Sequence, residues 1–212
     1  MPPRSKQTIV LLSLFLIILI NFIVAIIAGK LLANWAFLPI ILIEWCFFLF
    51  CIFKYGGKAA ISKWLKKPSG SLVWILPTLV IGLIPLPLFL LHHETLSSWE
   101  IWLPWILLAL INPFIEEFYW RGLLSDYSSK WQVWISVLFT SSLFALNHAA
   151  FGINSKLNSG PAVIISTFIM GVIWAITDKK TNSLRWIIFA HFLVDFINLS
   201  VPSFLDLYDS AW

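Results

Sequence analysis

The sequence predicts an all-α polytopic membrane protein, a bundle of about seven transmembrane helices. Of its 212 residues, 60% are hydrophobic and only 11% are charged, and the mean hydropathy is +0.90. A soluble domain carries about 25% charged residues, and a chain as apolar as this one could not present a water-compatible surface. Its apolar residues also fall in long runs. A backbone that crosses lipid must satisfy its own hydrogen bonds, so these runs are expected to be helices.

Seven segments approach the length of about 20 mostly apolar residues that a spanning helix needs. The first follows Arg4 and Lys6, but it is longer than a signal-peptide core and no A-x-A cleavage site follows it, so it is predicted to be a membrane helix. Pro77, Pro85 and Pro87 are expected to bend the third segment. The predicted spans are residues 8–28, 35–53, 71–91, 101–124, 131–150, 161–177 and 186–201.

Basic residues are distributed unequally between the two sides of the predicted bundle. The segments on the N-terminal side contain twelve lysines and arginines, whereas the opposite segments contain only Lys30 and Lys156. The positive-inside rule therefore predicts a multi-pass protein of the cell membrane with a cytoplasmic N-terminus. The net charge of +4 requires no nucleic-acid partner. The basic loop from Lys54 to Lys67 is instead expected to rest against anionic lipid headgroups.

Ionisable side chains are concentrated in the second half of the chain. Such groups cost several kcal/mol inside a membrane helix and so mark candidate functional sites. The first three spans contribute only Glu44 as an acidic residue, and no role is predicted for it. The candidates in the fourth, fifth and seventh spans are Glu116, Glu117, Arg121, His148, His191 and Asp195.

Helical spacing separates these candidates by role. Glu117 and Arg121 are four residues apart, so their side chains meet on one helix face and can neutralise each other. Glu116 is turned about 100° away by the helical period. It therefore lacks the arginine as a partner, which suits a general base. His191 and Asp195 also share a face, and His148 must come from another helix. We expect a polar cluster built by three helices.

Structural interpretations of the same residues remain open. The pair of glutamates followed by arginine is also typical of a helix end at the membrane interface. His148 could be a helix–helix contact, and His191 with Asp195 could be a polar clamp between helices, worth about 1 kcal/mol. The other group that resembles metal ligands, His92, His93 and Glu94, falls in a short outer loop and is predicted to be solvated.

Three motifs, in order on separate hydrophobic helices, resemble those of the CPBP family. That family comprises the type II CAAX prenyl endopeptidases and the bacterial Abi or bacteriocin-processing relatives. The motifs are Glu-Glu-x-x-x-Arg (Glu116, Glu117, Arg121), Phe-x-x-x-His (Phe144, His148) and His-x-x-x-Asn/Asp (His191, Asp195). Gly122 and the turn Thr181-Asn-Ser-Leu184 are similar to the family as well. The resemblance covers roughly residues 101–201. Residues 1–100 hold three helices without motifs, within a single transmembrane domain predicted for 1–212.

The resemblance implies an intramembrane glutamate-dependent endopeptidase with its active site in the C-terminal half. Glu116 and His148 would activate a water molecule, and His191 and Asp195 would stabilise the oxyanion. Many prenyl endopeptidases have Asn at the position of Asp195, and an ionised Asp cannot donate a hydrogen bond. Either Asp195 is protonated, or it orients and charges His191, which would then be the donor, and we favour the second alternative. The resemblance favours a metal-free site over zinc bound by Glu116, His148 and His191.

The depth of His148 does not agree with this picture at the level of sequence. At a rise of 1.5 Å per residue, Glu116 and His191 lie at similar distances from the inner ends of their helices. His148 would lie about 25 Å along a straight fifth helix that begins at Trp131. Agreement would require a strong tilt, or a fifth helix that begins deep in the membrane, and the sequence offers no independent evidence for either.

The expected substrate is a membrane-associated peptide or protein, prenylated or of the bacteriocin type, with a signal-peptide remnant or a regulatory membrane protein as further candidates. The sequence does not choose among them. The alternative is a catalytically silent membrane scaffold or bacteriocin-immunity protein that binds a membrane partner. A small transporter with a proton relay is a third class, but the two halves of the chain show no inverted repeat.

Overall fold

The computed structural model describes residues 4–208, and every regular element in this range is helical. This confirms the prediction of an all-α membrane helix bundle. The α-helices are α1 (Arg4–Leu32), α2 (Phe37–Cys51), α3 (Gly57–Trp64), α4 (Ile75–Leu83), α5 (Leu86–His92), α6 (Trp99–Glu117), α7 (Leu124–Tyr127), α8 (Val133–His148), α9 (Pro161–Thr181), α10 (Arg185–Ile197) and α11 (Ser200–Phe204).

The predicted count of about seven spans is not confirmed. Within the described residues, five helical stretches are long and apolar enough to cross a membrane. The first of these, Ser5–Trp64, has 60 residues and contains the first two predicted spans, which meet at the left-handed Ala33 (φ 50°). The other four are Ile75–Leu96, Trp99–Tyr127, Val133–Ile153 and Pro161–Thr181.

The predicted third and seventh spans are both interrupted. The third divides between α4 and α5 at Pro85, which has no backbone N–H to continue the helix. The seventh, predicted as residues 186–201, has only 13 residues in α10 before the left-handed Leu199 (φ 52°) separates it from α11. At 1.5 Å per residue α10 is about 20 Å long, less than the hydrocarbon thickness of about 30 Å.

Large aromatic side chains form the centre of the bundle around the site helices. Phe48, Tyr119, Trp120, Phe144 and Trp174 are all fully buried. In contrast, many leucine and isoleucine side chains on the periphery are exposed, among them those at positions 12, 19, 31, 76 and 165. An apolar exterior around an aromatic and polar interior is the arrangement expected of a bundle dissolved in lipid.

Gly122 allows the short helix α3 to pack against the end of the long helix that begins with α6. A Cβ atom at Gly122 would lie 2.7 Å from Cδ2 of Trp64. Trp64 is buried, and its indole N–H donates to Asp126 at 3.0 Å. Only a glycine therefore fits beneath this ring, which explains the glycine directly after Arg121.

We expect Gly122→Ala to lower the free energy of unfolding by about 1–3 kcal/mol, because the added methyl group overpacks the Trp64 ring. The matched variant is Gly56→Ala, whose Cβ would lie 3.1 Å from Cη2 of the same ring and should have a smaller effect. Thermal unfolding of the purified protein in detergent micelles measures both. An unchanged midpoint for Gly122→Ala would contradict this account.

A tight turn sets the start of α10, the helix that carries His191. Asn182 adopts the left-handed conformation (φ 51°) that ends α9. The Ser183 hydroxyl then donates to the Lys66 carbonyl at 2.6 Å, and the backbone N–H of Leu184 donates to the Trp64 carbonyl at 2.9 Å. The α9–α10 turn is thus held by the last residue of α3 and by the segment that follows it.

On the opposite side, Asp206 fastens the C-terminal segment to the α8–α9 connection. Its carboxylate accepts hydrogen bonds from Ser155 Oγ, the backbone N–H groups of Lys156 and Leu157, and Asn34 Nδ2, at 2.9–3.0 Å. Burial alone would raise the pKa of Asp206, but these hydrogen bonds outweigh it and lower that pKa below its usual value.

Candidate active site

The three predicted motifs converge on one buried carboxylate oxygen. Oε2 of Glu116 lies 4.0 Å from Nε2 of His148 and 3.9 Å from Nε2 of His191. Glu116 and His191 are almost completely buried, whereas the side chain of His148 is 21% exposed. The expectation that acid and imidazole groups from three helices meet inside the bundle is therefore confirmed as geometry.

The apparent mismatch in depth of His148 disappears because α8 starts beyond the end of α7. Ser128, directly after α7, shares a hydrogen bond of 2.6 Å with Ser136, which lies inside α8. These two serines therefore lie at nearly the same depth along the axis of the bundle. Glu116 lies twelve residues before Ser128 and His148 lies twelve residues after Ser136. Both are thus about 18 Å from the same level. The depth of His148 estimated from the sequence was wrong because it was measured from Trp131, the predicted start of the fifth helix, and that start is not level with the inner end of the fourth helix.

The helix backbone is irregular at the glutamate pair. Pro113 lies one turn before it and has no N–H to donate to the Ala109 carbonyl. The segment Phe118–Leu123, directly after Glu117, is a π-helix with a widened turn. Single-turn π-helices inside α-helices occur frequently at functional sites.

Glu117 and Arg121 form the predicted ion pair. Arg121 Nη1 donates to Glu117 Oε1 at 3.0 Å, and both side chains are buried. The guanidinium carbon lies 4.0 Å from the ring centroid of Phe144 and 5.4 Å from that of Trp174. Gly171 leaves room for it, since a Cβ there would lie 3.3 Å from Nη2. Arg121 is therefore held on three sides.

The group that orients His191 is Glu117, not Asp195 as the sequence suggested. Nδ1 of His191 lies 2.8 Å from Oε1 of Glu117, a hydrogen bond in which the ring N–H donates to the carboxylate. Oδ2 of Asp195 lies on the other side of the ring, 3.7 Å from Nε2, which is too long for a hydrogen bond. The indole ring of Trp174 packs on the imidazole with a centroid distance of 4.8 Å.

The hydrogen bonding of His148 determines where its hydrogen lies. Nδ1 is 2.9 Å from the carbonyl oxygen of Phe144, and a carbonyl oxygen can only accept. Nδ1 therefore carries the hydrogen, and in the neutral ring the lone pair of Nε2 faces Glu116. Oε2 of Glu116 has no hydrogen-bond partner among the residues that the structure describes. Two acceptors thus face each other across 4.0 Å.

A second set of polar residues surrounds the predicted site, and the sequence assigned no role to it. Nδ2 of Asn112 donates to Asp195 at 3.2 Å, and Asn147, next to His148, bonds to Glu44 at 3.1 Å. Asn147 lies inside the second motif, and Asn112 lies in the predicted fourth span, four residues before the first motif. Glu44 could have been identified from the sequence because it places an ionisable group in the middle of an apolar span. Such a group costs several kcal/mol in a membrane helix and so marks a candidate functional residue.

The six site residues do not form a preformed zinc site. Ligand atoms that share a tetrahedral zinc at about 2.0–2.1 Å lie about 3.3 Å apart, whereas Glu116 Oε2 stands 3.9–4.0 Å from the two histidine nitrogens. Between residues 4 and 208, no group of three His, Cys, Asp or Glu side chains has the geometry to hold a metal ion.

In the outer loop that also resembled metal ligands, His93 and Glu94 are exposed, and the His92 ring stacks on Tyr208 with a centroid distance of 4.7 Å.

We expect EDTA or 1,10-phenanthroline to leave the rate of peptide cleavage by the purified protein unchanged. The physical reason is that the distances from Glu116 Oε2 to the two imidazole nitrogens are longer than those between the ligands of a tetrahedral zinc ion. The measurement compares initial rates with and without chelator. Activity that chelator abolishes and added zinc restores would contradict the expectation.

A comparison with known protein families agrees with the resemblance of the motifs. A family model described as type II CAAX prenyl endopeptidase Rce1-like matches residues 97–197. This segment contains all six site residues, while α1 and α2 lie outside it. No curated protein and no solved structure matches the chain. The matched segment is just under half of the chain and carries the converging motifs, so this part is similar to the type II CAAX prenyl endopeptidases. The long apolar helices agree with a multi-pass membrane protein.

Proposed function

We propose that this protein is a glutamate-dependent intramembrane endopeptidase in which Glu116 and His148 activate the hydrolytic water. The observation that carries the proposal is the buried, unpartnered Oε2 of Glu116, which faces Nε2 of His148 at 4.0 Å and Nε2 of His191 at 3.9 Å. Polar atoms separated by such distances are typically bridged by a water molecule.

The hydrogen positions support the role of that water. Because Nε2 of neutral His148 and the Glu116 carboxylate are both acceptors, a water between them donates one hydrogen to each. Its oxygen lone pairs are then free to attack a carbonyl carbon. Glu116 takes the proton as the general base while the oxygen forms the new bond to carbon.

His191 is positioned to stabilise the charge that develops on the substrate carbonyl oxygen. Its Nδ1–H is held by Glu117, so Nε2 of the protonated ring directs an N–H towards the space beside Glu116. Collapse of the tetrahedral intermediate breaks the carbon–nitrogen bond. Glu116 then returns its proton to the leaving amine, while the second hydrogen of the water stays on the new carboxyl group, so the products are a carboxylic acid and an amine.

The substrate is a membrane-associated peptide, either prenylated or of the bacteriocin type. The family model that covers the site is named for prenyl endopeptidases, which supports the first class. The unequal distribution of basic residues supports a cell-membrane protein with a cytoplasmic N-terminus.

The test is cleavage of a fluorescence-quenched peptide that carries a farnesylated cysteine followed by three residues, with a non-prenylated membrane peptide in parallel. We expect His148→Ala and His191→Ala each to lower kcat/KM by about 10²–10⁴-fold, because each removes a group that acts on the reacting atoms. The control is His93→Ala, an exposed histidine outside the site. Equal rates for all the proteins would exclude this site. A protein that retains its cellular effect after both substitutions would instead be a scaffold.

A further inference from the structure

Helix α2 lies outside the segment that matches the protease family, yet two of its adjacent residues reach the site. Glu44 is 1% exposed, an acidic side chain in the middle of an apolar helix. Its neighbour Trp45 is half-buried. Neither residue takes part in the proposed reaction.

Glu44 is the centre of a closed ring of hydrogen bonds with two asparagines. Its Oε2 accepts from Asn21 Nδ2 at 2.7 Å, and its Oε1 accepts from Asn147 Nδ2 at 3.1 Å. Asn21 Nδ2 also donates to Asn147 Oδ1 at 2.9 Å. Both polar atoms of the Asn147 amide are therefore held. Because Asn147 immediately precedes His148, this ring fixes the end of α8 that carries the imidazole.

Trp45 acts on the other side of the site through a second asparagine. Its indole N–H donates to Asn112 Oδ1 at 2.8 Å, and Asn112 Nδ2 donates to Asp195 Oδ2 at 3.2 Å. Asn112 lies four residues before Glu116 in α6 and so on the same helix face. The chain of two hydrogen bonds connects α2 to α6 and α10.

The cost of Glu44 indicates that its purpose is not stability. A buried charged network can often be replaced by apolar side chains of similar volume without loss of stability. A carboxylate in the membrane is also expensive by itself. What a carboxylate provides here, and an apolar side chain cannot, is two acceptors in one plane that hold two amide nitrogens.

We propose that Glu44 and Trp45 are positioning residues of the peptidase site, Glu44 holding His148 in place through Asn147 and Trp45 holding Asp195 through Asn112. This inference rests on the proposed function. It gives a role to α2, a helix outside the segment that matches the family model. Through these hydrogen bonds α2 aligns His148 on one side of the site with Asp195 on the other.

The first experiment measures kcat and KM for the farnesylated peptide with Glu44→Gln and Trp45→Phe. Glutamine preserves the shape of Glu44 but turns one acceptor into a donor that faces an asparagine nitrogen, and phenylalanine removes only the indole N–H and some volume. We expect kcat to fall by about tenfold or more with KM nearly unchanged, because small displacements of reacting groups cost about this much or more.

Two matched control variants come from a similar pair on the basic side of the bundle. Trp64 also donates its indole N–H to a carboxylate, that of Asp126, at 3.0 Å. Trp64→Phe and Asp126→Asn thus remove the same kinds of bond away from the site and should keep kcat within about twofold. If the α2 variants behave like these controls, the inference is wrong.

A double-mutant cycle separates positioning from general destabilisation. If Trp45 acts through Asn112, the variant with both Trp45→Phe and Asn112→Ala should have the same kcat as Asn112→Ala alone. The same holds for Glu44→Gln combined with Asn147→Ala. Additive losses in both cycles would overturn the inference.

A second readout does not depend on turnover. The protein has four histidines, so ¹⁵N-histidine NMR in micelles can resolve the ring nitrogens of His148. We expect a single Nδ1–H tautomer of His148 in the wild type and a changed or broadened signal in Glu44→Gln, but not in Asp126→Asn. An unchanged His148 signal in Glu44→Gln would contradict the proposed role of Glu44 whether or not the peptide is cleaved.

The two proposals fail differently. If Glu116→Gln cleaves the peptide as fast as the wild type, the proposed function fails. If Glu116→Gln is inactive while Glu44→Gln and Trp45→Phe keep the wild-type kcat, only the positioning inference fails.

Discussion

Glu116→Gln is expected to abolish peptide hydrolysis while leaving the helix bundle folded. Glutamine has the shape of glutamate, and Oε2 of Glu116 has no hydrogen bond within the described residues that the substitution could break. An amide cannot accept the proton of the attacking water, so the general base is lost. We expect kcat to fall by about 10³-fold or more, as is typical when a positioned acid–base group is removed.

The matched control for this prediction is Glu100→Gln. Glu100 lies in the first turn of the same helix, α6, and is exposed. It should leave kcat, KM and the unfolding midpoint unchanged. Both proteins must elute from size-exclusion chromatography like the wild type. Turnover by Glu116→Gln above about a tenth of the wild-type rate would exclude Glu116 as the base.

Arg121→Ala is expected to be the most destabilising single substitution in the site. It removes the guanidinium that lies 3.0 Å from the fully buried carboxylate of Glu117 and leaves His191 as the remaining partner of that oxygen. Removing one partner of a buried ion pair costs about 3–5 kcal/mol, because the remaining buried charge loses part of its compensation. Arg121→Lys should recover little of the lost free energy of unfolding, since lysine lacks the planar group that stacks on Phe144.

The measurement is equilibrium unfolding by SDS in mixed micelles. The control is Lys63→Ala, which breaks the ion pair with Asp126 in which the lysine side chain is 58% exposed. An exposed pair contributes about 0–1 kcal/mol. The combination of Glu117→Gln with Arg121→Met should recover part of the stability but not the activity, because His191 would still lack the charged acceptor at its Nδ1. Similar losses for Arg121→Ala and Lys63→Ala would contradict the account.

Local spacing predicted the part of the site that depends on a single helix. Glu117 and Arg121 are four residues apart and pair as expected, and Asp195 lies on the same side of α10 as His191. Contacts of this kind follow from the period of the helix alone. The orientation of His191 was not predictable in this way. Its Nδ1 partner, Glu117, is 74 residues away in the chain.

The sequence by itself determined the membrane class, the helical architecture and the resemblance to a protease family, because composition, helical periodicity and short motifs are properties of neighbouring residues. Only the tertiary structure decided how deep His148 lies, which carboxylate holds His191, and that α2 contributes Glu44 and Trp45 beside the site. The depth of His148 depends on how α8 is offset from the end of α7. The other two features depend on pairs separated by 67 to 126 residues. Such pairs meet only when helix ends are offset and helices pack, and no local pattern encodes that offset.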